Sequence, residues 1–206
     1  MKPVFILLLG AMACSTGQYQ SQLALEAQME REILALRQRN RLLREQLKGC
    51  NVTGPASALY SQLFQVFRGS TIEISRTGQI TKLTFPVSDL FAADGFTVRD
   101  EMRLFLDVLA SALASNPDYR VRIEGHTDDS QVPHTLRRMY PDNWMYAMGR
   151  SMRLMDTLVQ DFNVDESRFS LSSGGEFAPR DENDTESGRA RNRRINVYLY
   201  PKGVTL

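Results

Sequence analysis

The sequence predicts an α/β sandwich, with a mixed sheet and helices packed on one face, preceded by a helical coiled-coil segment. Three observations predict it. Apolar and polar residues alternate over residues 119–125 and 195–200, the period of half-buried strands. Apolar residues recur at helical spacing over residues 98–115 and 143–162, between those strands. A heptad pattern runs through the charged stretch ahead of them. Composition agrees with a globular domain plus an extension: 206 residues, 42% apolar and 24% charged. Lys plus Arg number 25 against 24 Asp plus Glu, so the basic footprint of a nucleic-acid binder is absent. Two cysteines exclude a disulfide-dense scaffold and a multi-thiolate zinc site.

Residues 1–13 are expected to be removed. Lys2 gives a positive start and Val4–Leu9 an apolar run, too short for a membrane span of roughly 20 residues. Small residues ending at Cys14 look like a bacterial lipoprotein signal, which implies acylation of Cys14 and anchorage in membrane lipid. Ser15, in place of the Asp that favours inner-membrane retention, implies an outer-membrane lipoprotein facing the periplasm.

Residues 14–50 read as a helical stalk. No Pro or Gly falls between Gln18 and Lys48, and Glu, Gln, Arg, Leu and Ala dominate. One frame puts Met29, Leu36 and Leu43 at d and Ile33, Asn40 and Leu47 at a. Asn40 at a favours a parallel homodimer. Cys50 falls at the next d position, where two copies would face each other and an intermolecular disulfide could form in an oxidising compartment. A solvated helix packed on its own domain is the competing reading.

Residues 51–83 read as a connector. Gly49 to Pro55 breaks the helix; Leu59, Leu63, Phe64 and Phe67 mark a short apolar face; a hairpin turns at Thr77-Gly78. The compact domain is placed at residues 84–201. After the Asp94-Gly95 turn, Thr97 is expected to cap a helix carrying Met102, Phe105, Leu106, Leu109 and Leu113. A strand follows with Tyr119, Val121 and Ile123 on one face, then a long loop to Pro141. The second helix is given a buried stripe of Met148, Met152, Met155, Leu158 and Val159. A strand over residues 169–173, a polar loop, a short basic segment and a final strand complete the domain.

Gly125-His126-Thr127-Asp128 lies at a strand's carboxyl end, where polar residues often reach a ligand. Arg150 lies in the next helix, and Asn183, Arg189, Asn192, Arg193 and Arg194 precede the last strand. An Asp and an Arg together suit a zwitterion, the Asp pairing an ammonium and the Arg a carboxylate. The same residues also fit an ordinary solvated surface.

Three ordered motifs resemble the OmpA-like peptidoglycan-binding domain: residues 121–128, the glycine-rich residues 174–179 and residues 183–195. The resemblance covers roughly 115 residues. It implies an OmpA-like fold and a domain that grips the diaminopimelate of the peptidoglycan stem peptide without cleaving it, with no cofactor and no metal. Carried over by motif, Asp128 and Arg150 are the binding pair, supported by Thr127, Asn143 and Arg193. Tyr146-Ala147 stands where the family usually has Leu-Ser, and Ser151 where it usually has Ala. The long loop ending in Tyr140-Pro-Asp-Asn-Trp144 is similar to the flagellar MotB-type subgroup.

The function expected is therefore a non-covalent, wall-binding envelope lipoprotein that tethers a membrane or envelope complex. The alternative is a flagellar-motor-associated or other coiled-coil assembly adaptor. A stator subunit is disfavoured because no second hydrophobic 20-mer exists and Val4 to Ala13 contains no acidic residue. An enzyme is disfavoured because His126 and Asp128 have no convincing third ligand or nucleophile, His134 being the only other histidine.

Overall fold

The computed structural model describes residues 25, 28–39 and 55–205, in two compact units, residues 1–52 and 53–206. In the first unit, residues 28–39 form helix α1. Its side chains are exposed, including Met29, Ile33 and Leu36 of the expected seam. Cys14, Asn40, Leu43, Leu47 and Cys50, with the expected signal segment, lie outside the described residues.

The second unit begins with α2 (Pro55–Phe67). Ala56, Leu59, Leu63 and Phe67 are buried, one per turn or nearly so, and Phe64 points outward. Phe67 packs edge-on to Phe85 and tilted on Phe105. Gly69, at φ +82°, ends the helix in a conformation that costs a glycine little.

The hairpin β1 (Glu73–Thr77) and β2 (Ile80–Pro86) then enters the main sheet, whose order is β1-β2-β5-β3-β4. Here β3 is Tyr119–His126, β4 Phe169–Gly175 and β5 Arg194–Pro201. Only β3 and β4 run parallel, so the sheet is mixed. The boundary expected at residue 84 thus falls inside β2, and the segment read as a connector supplies two of the five strands. Its pairing partner explains the difference: Thr84 lies opposite Asn196, 112 residues away, and no local pattern encodes that.

A short turn of helix, α3 (Val87–Leu90), leads to α4 (Asp100–Ala114). Thr97 does not cap α4. Arg99 holds the cap position without a side-chain bond, and the Thr97 hydroxyl donates to Asp94 instead. Between β3 and β4 lies α5 (Asn143–Gln160), capped by Asp142, whose carboxylate accepts from the Met145 N–H at 2.8 Å. Parallel strands need such a crossover. The buried face of α5 is Tyr146, Ala147, Arg150, Ser151, Leu154 and Leu158. Of the expected stripe only Leu158 is buried, and Met152 is exposed. The inner face is polar near its amino end because that end lies over a pocket rather than over the core.

The core lies between the sheet and its helices. Leu83, Phe85, Val121, Ile123, Val197 and Leu199 of the strands meet Leu106, Leu109, Leu113, Leu154 and Leu158 of α4 and α5. Arg168, buried in the turn just before β4, donates to the carbonyls of Leu113, Asn116 and Tyr119 at 2.7–2.9 Å and so closes the carboxyl end of α4. A last helix, α6 (Glu186–Asn192), is capped by Thr185.

Candidate functional site

Strand β3 ends in Gly125-His126, and the chain then turns away from the sheet. A Cβ on Gly125 would lie 2.2 Å from the Ala147 carbonyl oxygen of α5. Glycine therefore lets helix and strand approach closely, which brings the residues after β3 beside the first turns of α5. The Thr127 N–H bonds the Gly175 carbonyl at 2.9 Å and holds this exit to the end of β4.

Asp128 follows, 5% exposed. One carboxylate oxygen accepts the Ser130 N–H at 3.1 Å in a local Asx turn. The other accepts Arg193 Nη1 at 2.5 Å. Arg193 reaches from the end of α6, and its Nη2 donates to Glu186. Burial opposes the Arg193 charge, but the hydrogen bonds to Glu186 and Asp128 outweigh it, so its pKa is raised.

Arg150 is 6% exposed, yet no carboxylate pairs with it among the described residues. Its Nη2 donates to the Tyr146 hydroxyl at 2.7 Å and its Nε to the Gly95 carbonyl at 3.3 Å. The guanidinium carbon lies 4.1 Å from the centroid of the Tyr146 ring. Burial lowers its pKa, while Tyr146 and the Asp128 charge support the cation. The Asp94-Gly95 turn that supplies the carbonyl is itself pinned. Asp94 accepts from the Thr97 hydroxyl and from the N–H groups of Thr97 and Phe96, which draw its pKa down to about 2.

Asp128, Arg150, Thr127, Asn143 and Arg193, the five residues singled out in the sequence, all line one pocket of about 230 Å³. Asn143, the first residue of α5, bridges two loops: its Nδ2 donates to the Ser130 carbonyl at 3.0 Å and to Glu176 at 2.8 Å. The Thr127 hydroxyl has no partner among the described residues. Arg189, Asn192 and Arg194 do not line this pocket. Asn192 instead accepts from the N–H groups of Arg180 and Asp181, and Arg194 donates to the carbonyls of Asn192 and Ala178. The pocket also draws on Ser130, Gln131, Pro133 and Tyr146, which motif reasoning did not name as site residues. Tyr146 had a signal: it departs from the family pattern four residues before Arg150, the spacing of facing side chains on a helix.

His126 is buried outside this pocket. Its Nε2 lies 3.1 Å from Glu124 and 3.2 Å from Asn196 on the open sheet face. Among the described residues no group of three His, Cys, Asp or Glu side chains is placed to hold a metal ion.

The profile of the OmpA family matches residues 90–193, which hold the pocket's Asp, Arg and Asn together with the β3–α5–β4 crossover. The chain belongs to the OmpA family. Its domain is an OmpA-like, peptidoglycan-binding periplasmic domain. Motility protein B of Bacillus subtilis is 28% identical over 133 residues, 65% of this chain and 50% of that protein. The "Probable lipoprotein YiaD" of Escherichia coli is 27% identical over 141 residues, 68% of this chain and 61% of that protein. The cell wall anchor of the type VI secretion system from Pseudomonas aeruginosa superimposes with a TM-score of 0.61 at 26% identity, over 70% of this chain and 97% of that one. The chain spans about half the length of the motility proteins it matches. No described helix is long and apolar enough to cross a membrane.

Proposed function

We propose that the domain grips the zwitterionic end of a diaminopimelate side chain in the peptidoglycan stem peptide, and thereby fixes an envelope assembly to the cell wall. One observation carries this reading: a buried guanidinium without a carboxylate, Arg150, shares a pocket with a buried carboxylate, Asp128. A ligand carboxylate would give Arg150 the charge-assisted partner it lacks. The ligand ammonium would take up Asp128, sharing it with Arg193. Asn143 and Thr127 line the same space for the remaining polar atoms. Both charges are already desolvated and oriented, so binding costs little reorganisation.

The assembly we favour is a motor or secretion machine, with this chain as its wall adaptor. The likeness to motility protein B and to a secretion-system wall anchor supports that choice. Acylation of Cys14 would fasten the other end in membrane lipid, on the periplasmic side of the outer membrane. The likeness to YiaD supports this part, and would equally suit a general envelope tether. Pulldown with diaminopimelate-containing peptidoglycan tests the site. Wild type is expected in the pellet, and Asp128→Ala and Arg150→Ala in the supernatant; equal pelleting of all three overturns it. Palmitate incorporation by wild type and not by Cys14→Ala tests the anchor.

A further inference from the structure

The pocket has an aromatic neighbour that the binding pair does not use. Trp144 is the one tryptophan of the chain, and it follows Asn143 directly. It is 47% exposed, and Phe177 beside it is 69% exposed. Their ring centroids lie 6.3 Å apart at 33°, so two neighbouring aromatic rings stand open to solvent. Leaving two large aromatic faces in water forgoes the burial that usually fixes such residues.

The aromatic pair is joined to the pocket. Two parallel links connect the start of α5 to the loop after β4. One is polar and starts at the pocket wall, Asn143 donating to Glu176 at 2.8 Å. The other is the Trp144–Phe177 pair, one residue further along each segment. The Ser173 hydroxyl holds the Trp144 carbonyl at 2.9 Å. Gly175, at φ +51°, lies under the indole, where a Cβ would come within 3.3 Å of the ring. The indole is therefore seated by backbone contacts before any ligand arrives.

We infer that Trp144 and Phe177 form a sugar-stacking subsite for the glycan that carries the bound stem peptide. The inference rests on the wall-binding reading of the pocket. The aliphatic C–H face of a pyranose ring is flat, weakly positive at its hydrogens and complementary to the negative face of an aromatic ring. Connectivity supplies the occupant: the diaminopimelate is the third residue of a peptide attached to the sugar, so three residues plus the gripped side chain put the ring within roughly 15 Å of chain from the gripped end. A ligand held at both ends gains from effective concentration without new contacts in the pocket.

The test compares a disaccharide-bearing muropeptide with the same stem peptide lacking sugar, by calorimetry and by the emission of the single tryptophan. Wild type is expected to bind both, more tightly with the sugar, and the sugar-bearing ligand alone should shift the Trp144 emission. Phe177→Ala, at an exposed position where the fold is not at stake, is expected to weaken the muropeptide about threefold to tenfold and leave the bare peptide unchanged. Equal affinity of wild type for the two ligands, or equal losses for both in Phe177→Ala, overturns the subsite. A bare peptide that binds wild type but not Asp128→Ala upholds the pocket whatever the aromatic pair does. Failure of both ligands to bind wild type overturns the pocket and the subsite together.

Discussion

At the scale of single residues, the site is a matter of which charges are left with partners. Asp128 and Arg193 hold each other, and Glu186 completes the chain of charges. Arg150 is held by neutral groups only, a phenol and a backbone carbonyl. Such partners orient a guanidinium without satisfying its charge, so its affinity for an incoming carboxylate is kept. Tyr146 is then a positioning residue: its hydroxyl fixes Nη2 and its ring supports the plane of the fork. Tyr146→Phe keeps the ring and loses the hydroxyl. It is expected to weaken stem-peptide binding by about 1 kcal/mol, roughly fivefold, and to lower the melting temperature by only a few degrees, since Arg150 Nη2 loses one buried acceptor. An unchanged dissociation constant by calorimetry would sink this role. Asp128 and Arg150 were legible in the sequence because a motif carries them. Tyr146 was visible only as a departure, because its role depends on Gly95, 55 residues upstream of Arg150, which no helical period reports.

At the scale of elements, alternation served better than amphipathic counting. Strands β3 and β5 follow their predicted faces, since each inward residue meets the core and each outward one does not. Of the expected α5 stripe Leu158 is in the core and Met155 packs against it, while Met152 faces solvent, because the helix turns Arg150 and Ser151 inward to the pocket and the sheet. The open sheet face carries its own polar cluster. Glu124 accepts from Tyr198 at 2.9 Å and contacts His126 and Asn196. The His126 bond, against the cost of burial and with help from Tyr198 and Asn196, lowers the Glu124 pKa from 4.5 to about 2. The folded state therefore binds fewer protons than the unfolded chain across this window. The stabilisation is present in full above pH 4.5 and is lost as pH falls through about 2. Thermal unfolding between pH 2 and 5 should show this slope in wild type and a shallower one in Glu124→Gln. Parallel curves would assign the acid sensitivity to other carboxylates.

At the scale of the whole molecule, the two units ask different questions. For residues 53–206 the sheet closes through long-range pairing, β2 on β5, so a local reading sees a hairpin and cannot see that it belongs to the domain. For the first unit the question is what covers the apolar residues of α1. Met29, Ile33, Leu34 and Leu36 are about half exposed or more. Met29, Ile33 and Leu36 step by four and three, the repeat that a second helix buries in a coiled coil. A parallel homodimer would bury that seam and carry two wall grips on one stalk. Simultaneous engagement of two stem peptides raises apparent affinity by roughly a hundredfold or more without a new contact, provided the stalk lets both domains reach the wall. The full chain is expected to sediment as a dimer, and the double variant Ile33→Lys, Leu36→Lys as a monomer of unchanged domain stability. The variant should bind soluble stem peptide as wild type does, yet dissociate faster from intact peptidoglycan. A wild-type chain that sediments as a monomer at all concentrations would remove the dimer and leave avidity to whatever assembly the chain joins.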